Sequence, residues 1–151
     1  MGDGTFLGEG LHLTAWDQYT AADYPGGIQT FSPEITIGRN CRIGKNNHIT
    51  AINKIVIGDG CLTGHSVTIT DNSHGDFSEA EIKIEPALRK LVSKGPVIVG
   101  RHVWIGEKAT ILPNVVIGDN VIVGANAVVS KSVPPNCIVV GNPAKIIRRL
   151  A

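Results

Sequence analysis

Hydrophobic positions recur along this chain with a period of six, which is neither the two of a plain strand nor the 3.6 of a helix. From Val99 the sequence reads VGRHVW, IGEKAT, ILPNVV, IGDNVI, VGANAV, VSKSVP, six consecutive blocks that each open on Val or Ile. The second place is usually Gly. The fifth is taken by Val103, Ala109, Val115, Val121, Ala127 and Val133, all small or β-branched, so two places in each block look inward. The same block occurs earlier, as IGRNCR, IGKNNH, ITAINK from Ile37 and IGDGCL, TGHSVT, ITDNSH from Ile57. The N-terminus carries a weaker version in MGDGTF, LGEGLH, LTAWDQ. Fifteen blocks fall into five groups of three, which gives a higher period of 18 residues.

A unit of six is too short for a helical repeat and suits one short strand followed by a bend. Three units then close a triangular coil. Coils stacked at about 4.8 Å pair each strand with the coil above and below, and five would rise about 24 Å around a dry core. The expected fold is all-β, a parallel β-helix of about five to six coils in one domain spanning 1–151. The second-place glycines are expected to give the corners their backbone freedom. Flat faces and open ends ask for caps or self-association.

The period breaks in three places. Residues 19–36 span one coil length, but Pro25-Gly26-Gly27 and Pro33 spoil the block, so a loop or degenerate coil is expected. Residues 75–98 form a longer excursion, and a loop of that size inside a regular solenoid is usually functional. From Pro134 the repeat stops. Residues 135–151 read as a short helical cap, with Ile146 and Ile147 packing back and Arg148 and Arg149 exposed.

Composition narrows the function. Ile and Val number 34 against 8 Leu, a balance that favours strand over helix. Charged residues are 18% of the chain and the net charge is +1 with no long basic block, so neither nucleic acid nor an anionic membrane is an expected partner. No apolar run approaches the roughly 20 residues of a bilayer span, and the start lacks the features of a signal peptide, so the cytoplasm is the expected location. Cys41, Cys61 and Cys137 form no CxxC pair and read as reduced packing residues. With Cys41 and Cys61 on inward fifth places, no thiol is placed as a nucleophile, and no metal site is expected.

His74 closes ITDNSH, next to the longer excursion. By placement alone it is either a solvated corner histidine or a general base under the loop. Asp71, three residues earlier, is an orienting group or a turn aspartate. Asn46, Asn47 and Asn72 nearby are polar candidates for substrate contact or ordinary turn residues.

The run VTITDNSHGD, a long loop, and then KGPVIVGRHVWIGEKATILPNVVIGDNVIVGANAVVSKSVPPNCIVVGNPAKIIRR is similar throughout to one branch of the hexapeptide-repeat acyltransferases. That branch comprises the maltose and galactoside O-acetyltransferases and related polysaccharide O-acetyltransferases. The resemblance implies a left-handed β-helix, a homotrimer, and transfer of acetyl from acetyl-CoA to a saccharide hydroxyl. It implies His74 as the base and a CoA arm lying in the groove between neighbouring prisms. Carried over by position, the CoA contacts are Glu107, through its backbone, Ala125, Ser130, Lys131, Lys145 and Arg148, with Lys131, Lys145 and Arg148 suited to phosphate. Gly44 stands where the branch has a sugar-holding asparagine, which shifts the substrate contact to Asn47, Asn72 or Asp71. The helical N-terminal region of that branch has no counterpart, since the repeat begins at once.

Three other readings compete. An N-acetyltransferase acting on an amino sugar or antibiotic would use the same base. A non-catalytic β-helix scaffold would need none of these residues. A metal enzyme of the γ-carbonic anhydrase kind would draw on His48, His65, His74 and His102, but His65 and His74 are nine apart and on different faces.

Overall fold

The structure, a computed structural model, describes residues 1–20 and 27–150. The chain winds as a left-handed parallel β-helix with three faces. The first face stacks Phe6–Leu7, Arg42–Ile43, Leu62–Thr63, Trp104–Ile105, Ile122–Val123 and Cys137–Val140. The second stacks His12–Ala15, His48–Ala51, Thr68–Thr70, Thr110–Ile111 and Val128–Val129. The third holds Glu34–Ile37, Lys54–Ile57, Val97–Val99 and Val116–Ile117, extended by a bridge from Ile117 to Val133. Six levels on the first face and five on the second agree with the coil count expected from the period.

The core follows the block. First-place residues such as Ile57, Ile69, Ile105, Ile111 and Ile117 are at most 1% exposed, and so are the fifth-place residues Cys41, Cys61, Val67, Val103, Ala109, Val115, Val121 and Ala127. These two inward rows fill the prism, leaving the other places for solvent, corners or neighbours. Burial pushes the Cys61 thiol up to about 11, against the lowering effect of its hydrogen bond with the Val103 backbone.

The glycines serve a different purpose from the one expected. Second-place glycines lie outside the left-handed region, which is instead occupied at the fourth place by Asn40 (φ 56°), Asn46 (φ 55°), His102 (φ 55°), Lys108 (φ 56°), Asn114 (φ 63°), Asn120 (φ 58°) and Asn126 (φ 59°). The turn therefore rests on asparagine, which tolerates this backbone better than most residues. Glycine is needed at the second place because the next coil passes too close. A Cβ at Gly106 would lie 2.5 Å from the Ala125 amide nitrogen, and one at Gly44 would lie 2.2 Å from the Gly64 carbonyl oxygen.

The C-terminal cap is a strand rather than a helix. Lys145–Arg149 runs antiparallel to Cys137–Val140 and closes the open edge of the first face, with Ile146 40% and Ile147 63% exposed instead of packed back. The physical reason is the unpaired edge of the last coil, which offers a ladder of hydrogen bonds to a β-branched segment. On either side of residues 21–26, Gln18–Tyr19 pairs antiparallel with Gln29–Thr30, and the chain rejoins the prism at Glu34. Pro25 and Gly26 of the expected loop lie outside the described residues.

The longer excursion also has different limits. Val97 pairs with Ile55 and Ile98 with Val116, so the prism resumes at Val97. On the other side Ile69 pairs with Ile111. Joining Asn72 directly to Val97 would give ITDNVI, a regular block, so residues 73–96 are inserted after the fourth place of a coil. Ser73 does not take the inward fifth place of ITDNSH. Val97 takes it, because only an apolar residue suits the dry core.

Candidate active site

Both excursions leave the prism from the same edge, between its second and third faces, and they meet there. The inserted segment starts as a hairpin stem, Ser73–His74 antiparallel to Leu91–Val92. It carries a one-turn helix, Glu79–Ile82, capped by the Ser78 hydroxyl, and a 3-10 turn at Pro86–Leu88. Asp76 accepts from the Ser78 amide at 2.9 Å, and hydrogen bonds from the Ser78 side chain and backbone hold its carboxyl below the usual carboxylate range. His74 thus stands on a stem leaving the prism, not at a prism corner as its block suggested.

The side chain of His74 is exposed and opens on a cleft lined by Trp16, Tyr19, His48, Thr50, Asn72 and Leu91. Tyr19 meets the His74 ring edge to face, centroids 5.8 Å apart. Trp16 meets Tyr19 in the same way at 6.4 Å and donates its indole N–H to Thr50 Oγ1 at 3.2 Å. The His74 imidazole thus sits among aromatic and hydroxyl groups and a second exposed imidazole, His48, an arrangement able to accept a proton from a bound hydroxyl.

Asp71 and Asn47 have other duties. Asp71 is fully buried, and its two carboxylate oxygens accept from the Ile52 amide at 2.9 Å and the Asn53 amide at 2.8 Å. It ties down the wider corner of the coil below. Asn47 occupies an inward fifth place at 1% exposure, donating to Thr63 Oγ1 and accepting from the Val67 amide at 2.7 Å. As a polar residue on the inside of the prism it must pair there, which leaves it no open face for a substrate. Asn72 does reach the cleft, with its amide nitrogen donating to the Thr50 carbonyl and to Asp71 Oδ1.

The residues expected to contact CoA separate into three places. Glu107 and Ala125 line one hollow with Gly64, Trp104, Gly106 and Ile122, on the edge between first and second faces. Ser130 lines a second hollow beside the inserted segment, with Thr70, Asn72, Phe77 and Lys94, and Lys131 follows it on that edge. Lys145 and Arg148 are exposed on the closing strand of the first face. In one chain these sites do not converge on His74. Trp16, Tyr19 and Gln29, which shape or brace the His74 cleft, escape the block pattern, although two aromatics close together in a chain with only seven marked the spot. Among the described residues, no group of three His, Cys, Asp or Glu is placed to hold a metal ion, and no helix is long and apolar enough to cross a membrane.

Comparison with known proteins identifies the family of the repeat. The family model described as "Bacterial transferase hexapeptide (six repeats)" matches residues 96–131, and "Hexapeptide repeat of succinyl-transferase" matches residues 34–70. The chain is 36% identical over 153 residues to the Escherichia coli protein named "Putative lipopolysaccharide biosynthesis O-acetyl transferase WbbJ", covering 99% of this chain and 70% of that one. It is 32% identical to the galactoside O-acetyltransferase of the same organism, covering 80% of this chain and 57% of that enzyme. A solved structure of a hexapeptide-repeat acetyltransferase from Vibrio cholerae, complexed with acetyl-CoA, matches with a TM-score of 0.69 at 29% identity, over 98% of this chain and 72% of that one. With the coils and these relatives together, the chain belongs to the hexapeptide-repeat family of CoA-dependent acetyltransferases.

Proposed function

We propose that this protein transfers an acetyl group from acetyl-CoA to a hydroxyl of a saccharide, with His74 as the general base. The observation that carries this reading is the place of His74, exposed on the inserted hairpin in a cleft walled by Trp16 and Tyr19. The imidazole takes the proton of the acceptor hydroxyl as its oxygen attacks the thioester carbonyl. The tetrahedral intermediate then collapses with cleavage of the C–S bond, and the imidazolium returns the proton to the leaving thiolate. The three thiols are buried in the prism, in keeping with direct transfer without an acyl-enzyme.

The working site lies between subunits of a homotrimer. Two features support this. The Glu107 and Ala125 hollow and the His74 cleft stand on different edges of one prism, so a donor in the first reaches a base contributed by a neighbouring copy. The first face also carries an outward pair in register, Leu62 45% and Trp104 51% exposed, with Phe6 59% exposed beyond Arg42 on the same row, which suits burial against another copy. Lys131, Lys145 and Arg148 supply positive charge for the CoA phosphates. Reduced thiols and a CoA thioester donor suit a cytoplasmic location.

The test is release of free CoA thiol from acetyl-CoA in the presence of monosaccharides, oligosaccharides and amino sugars. Release that depends on a hydroxyl acceptor supports the proposal. Release with amino sugars alone moves the acceptor to nitrogen, and silence across the panel without CoA binding by calorimetry overturns it.

A further inference from the structure

The stem that carries His74 has only two strands of two residues each, and such a hairpin has little stability by itself. Its outer edge is closed by a side chain from elsewhere in the chain. Gln29, on the first excursion, accepts from the Leu91 amide through Oε1 at 2.8 Å and donates from Nε2 to the Leu91 carbonyl at 3.1 Å. Leu91 is the cross-strand partner of His74. Because its N–H and C=O both face Gln29, Leu91 and His74 form a non-hydrogen-bonded pair, the kind whose side chains stand closest together. Leu91 is 5% exposed and lines the His74 cleft. A second contact from the same excursion, the Tyr19 ring in a T-shaped arrangement, meets the imidazole itself.

We infer that Gln29 is a positioning residue for His74. Its amide acts as a one-residue third strand, holding Leu91 and thereby the height and direction of the imidazole over the cleft, while Tyr19 fixes the rotation of the ring. The first excursion is thus the brace of the inserted hairpin, and neither is complete without the other. This rests on the reading of His74 as the base. Gln29 lies outside the residues that line the cleft, so it acts through Leu91 and not on the substrate.

The experiment compares the full chain with Gln29→Ala and with Gln29→Met, which keeps the length of the side chain and removes both hydrogen bonds. Tyr19→Leu and Tyr19→Phe form a second pair. Readouts are kcat, KM for acetyl-CoA, and the His74 imidazole signals by NMR. For both Gln29 variants, kcat is expected to fall about tenfold to a hundredfold, the scale of a small misplacement of a reacting group. KM for acetyl-CoA should stay within about twofold, the pattern of a loss confined to the chemical step. The His74 signals should shift, and Tyr19→Phe should restore the activity that Tyr19→Leu loses. Combined with His74→Ala, the Gln29 change should cause no further loss. Wild-type kcat and unmoved His74 signals in Gln29→Met would overturn the brace while His74→Ala still abolished transfer. Full activity in His74→Ala would instead overturn the base.

Discussion

Residues 97–139 and the edge between the second and third faces are built from the same six-residue unit, yet they behave in opposite ways. From Val99 to Ala127 every block closes on the next with a Val, Ile or Ala inside and an Asn, His or Lys in the left-handed turn. Along the edge, the coils give up the rule four times: the chain leaves the prism after Ala15 and rejoins it at Glu34, the Ala51–Lys54 corner is two residues wider than a regular one, residues 73–96 leave again, and the corner before Val133 is two residues shorter. The regular region is rigid and carries no group placed for chemistry apart from the hollows on its surface. The irregular edge holds the exposed histidine, the aromatic walls and the buried Asp71 that fastens the widened corner. A solenoid whose coils depend on their neighbours can accept a long insertion at one corner at little cost, because the ladder above and below is already made.

The sharpest way to break this contrast is to remove the insertion. Deleting residues 73–96 joins Asn72 to Val97 and restores a regular block, so the variant should fold as a stable prism and lose acetyl transfer entirely. Circular dichroism with a thiol-release assay checks it, and an unfolded product would show that the hairpin supports the prism as well.

Next in size are core truncations. Ile111→Ala should cost about 2–5 kcal/mol, as for large aliphatic residues truncated in a packed core. Ile147→Ala, on the exposed closing strand, should stay within about 0.5 kcal/mol. Equal losses in denaturant unfolding would mean that the tail contributes to the core. A smaller effect concerns the two kinds of turn position. Gly106→Ala should lose about 1–3 kcal/mol through the clash with the next coil. Asn126→Gly, at a left-handed position, should change stability by about 0.5 kcal/mol or less.

The smallest effect concerns the buried thiols. Cys61 has its thiol raised from the ordinary value near 9 to about 11 by burial, so the folded chain favours the neutral thiol. Its contribution to stability is therefore full below pH 9 and fades as the pH rises through 11. Ellman's reagent should leave Cys61 unmodified at pH 8 until denaturant is added.

The prism was legible in the sequence because its interior is sampled every few residues by the same two places, and a period repeated so often outweighs any single substitution. What did not repeat was read less well. Asn47 and Asp71 looked like surface residues, since a polar side chain at an inward place or a corner carries no mark of the partner it finds in the neighbouring coil. The need for glycine at the second place is missed because a close approach between coils is a property of the stack, invisible within one block. The closing strand was read as a helix because the open edge that recruits it exists only once the last coil has formed. The sequence singles out His74 as a candidate, but its stem, its Tyr19 contact and the Gln29 bonds to Leu91 depend on residues about 45 to 60 positions away meeting at one edge.

The central claim is that chemistry resides on the inserted hairpin and is carried by one imidazole. It is tested most directly by the turnover of His74→Ala with acetyl-CoA and the preferred acceptor, measured beside its circular dichroism and CoA affinity. The account predicts a loss of about 10²- to 10⁴-fold in kcat, the usual contribution of a positioned base, with fold and CoA binding retained. Undiminished turnover in a folded His74→Ala protein would contradict it.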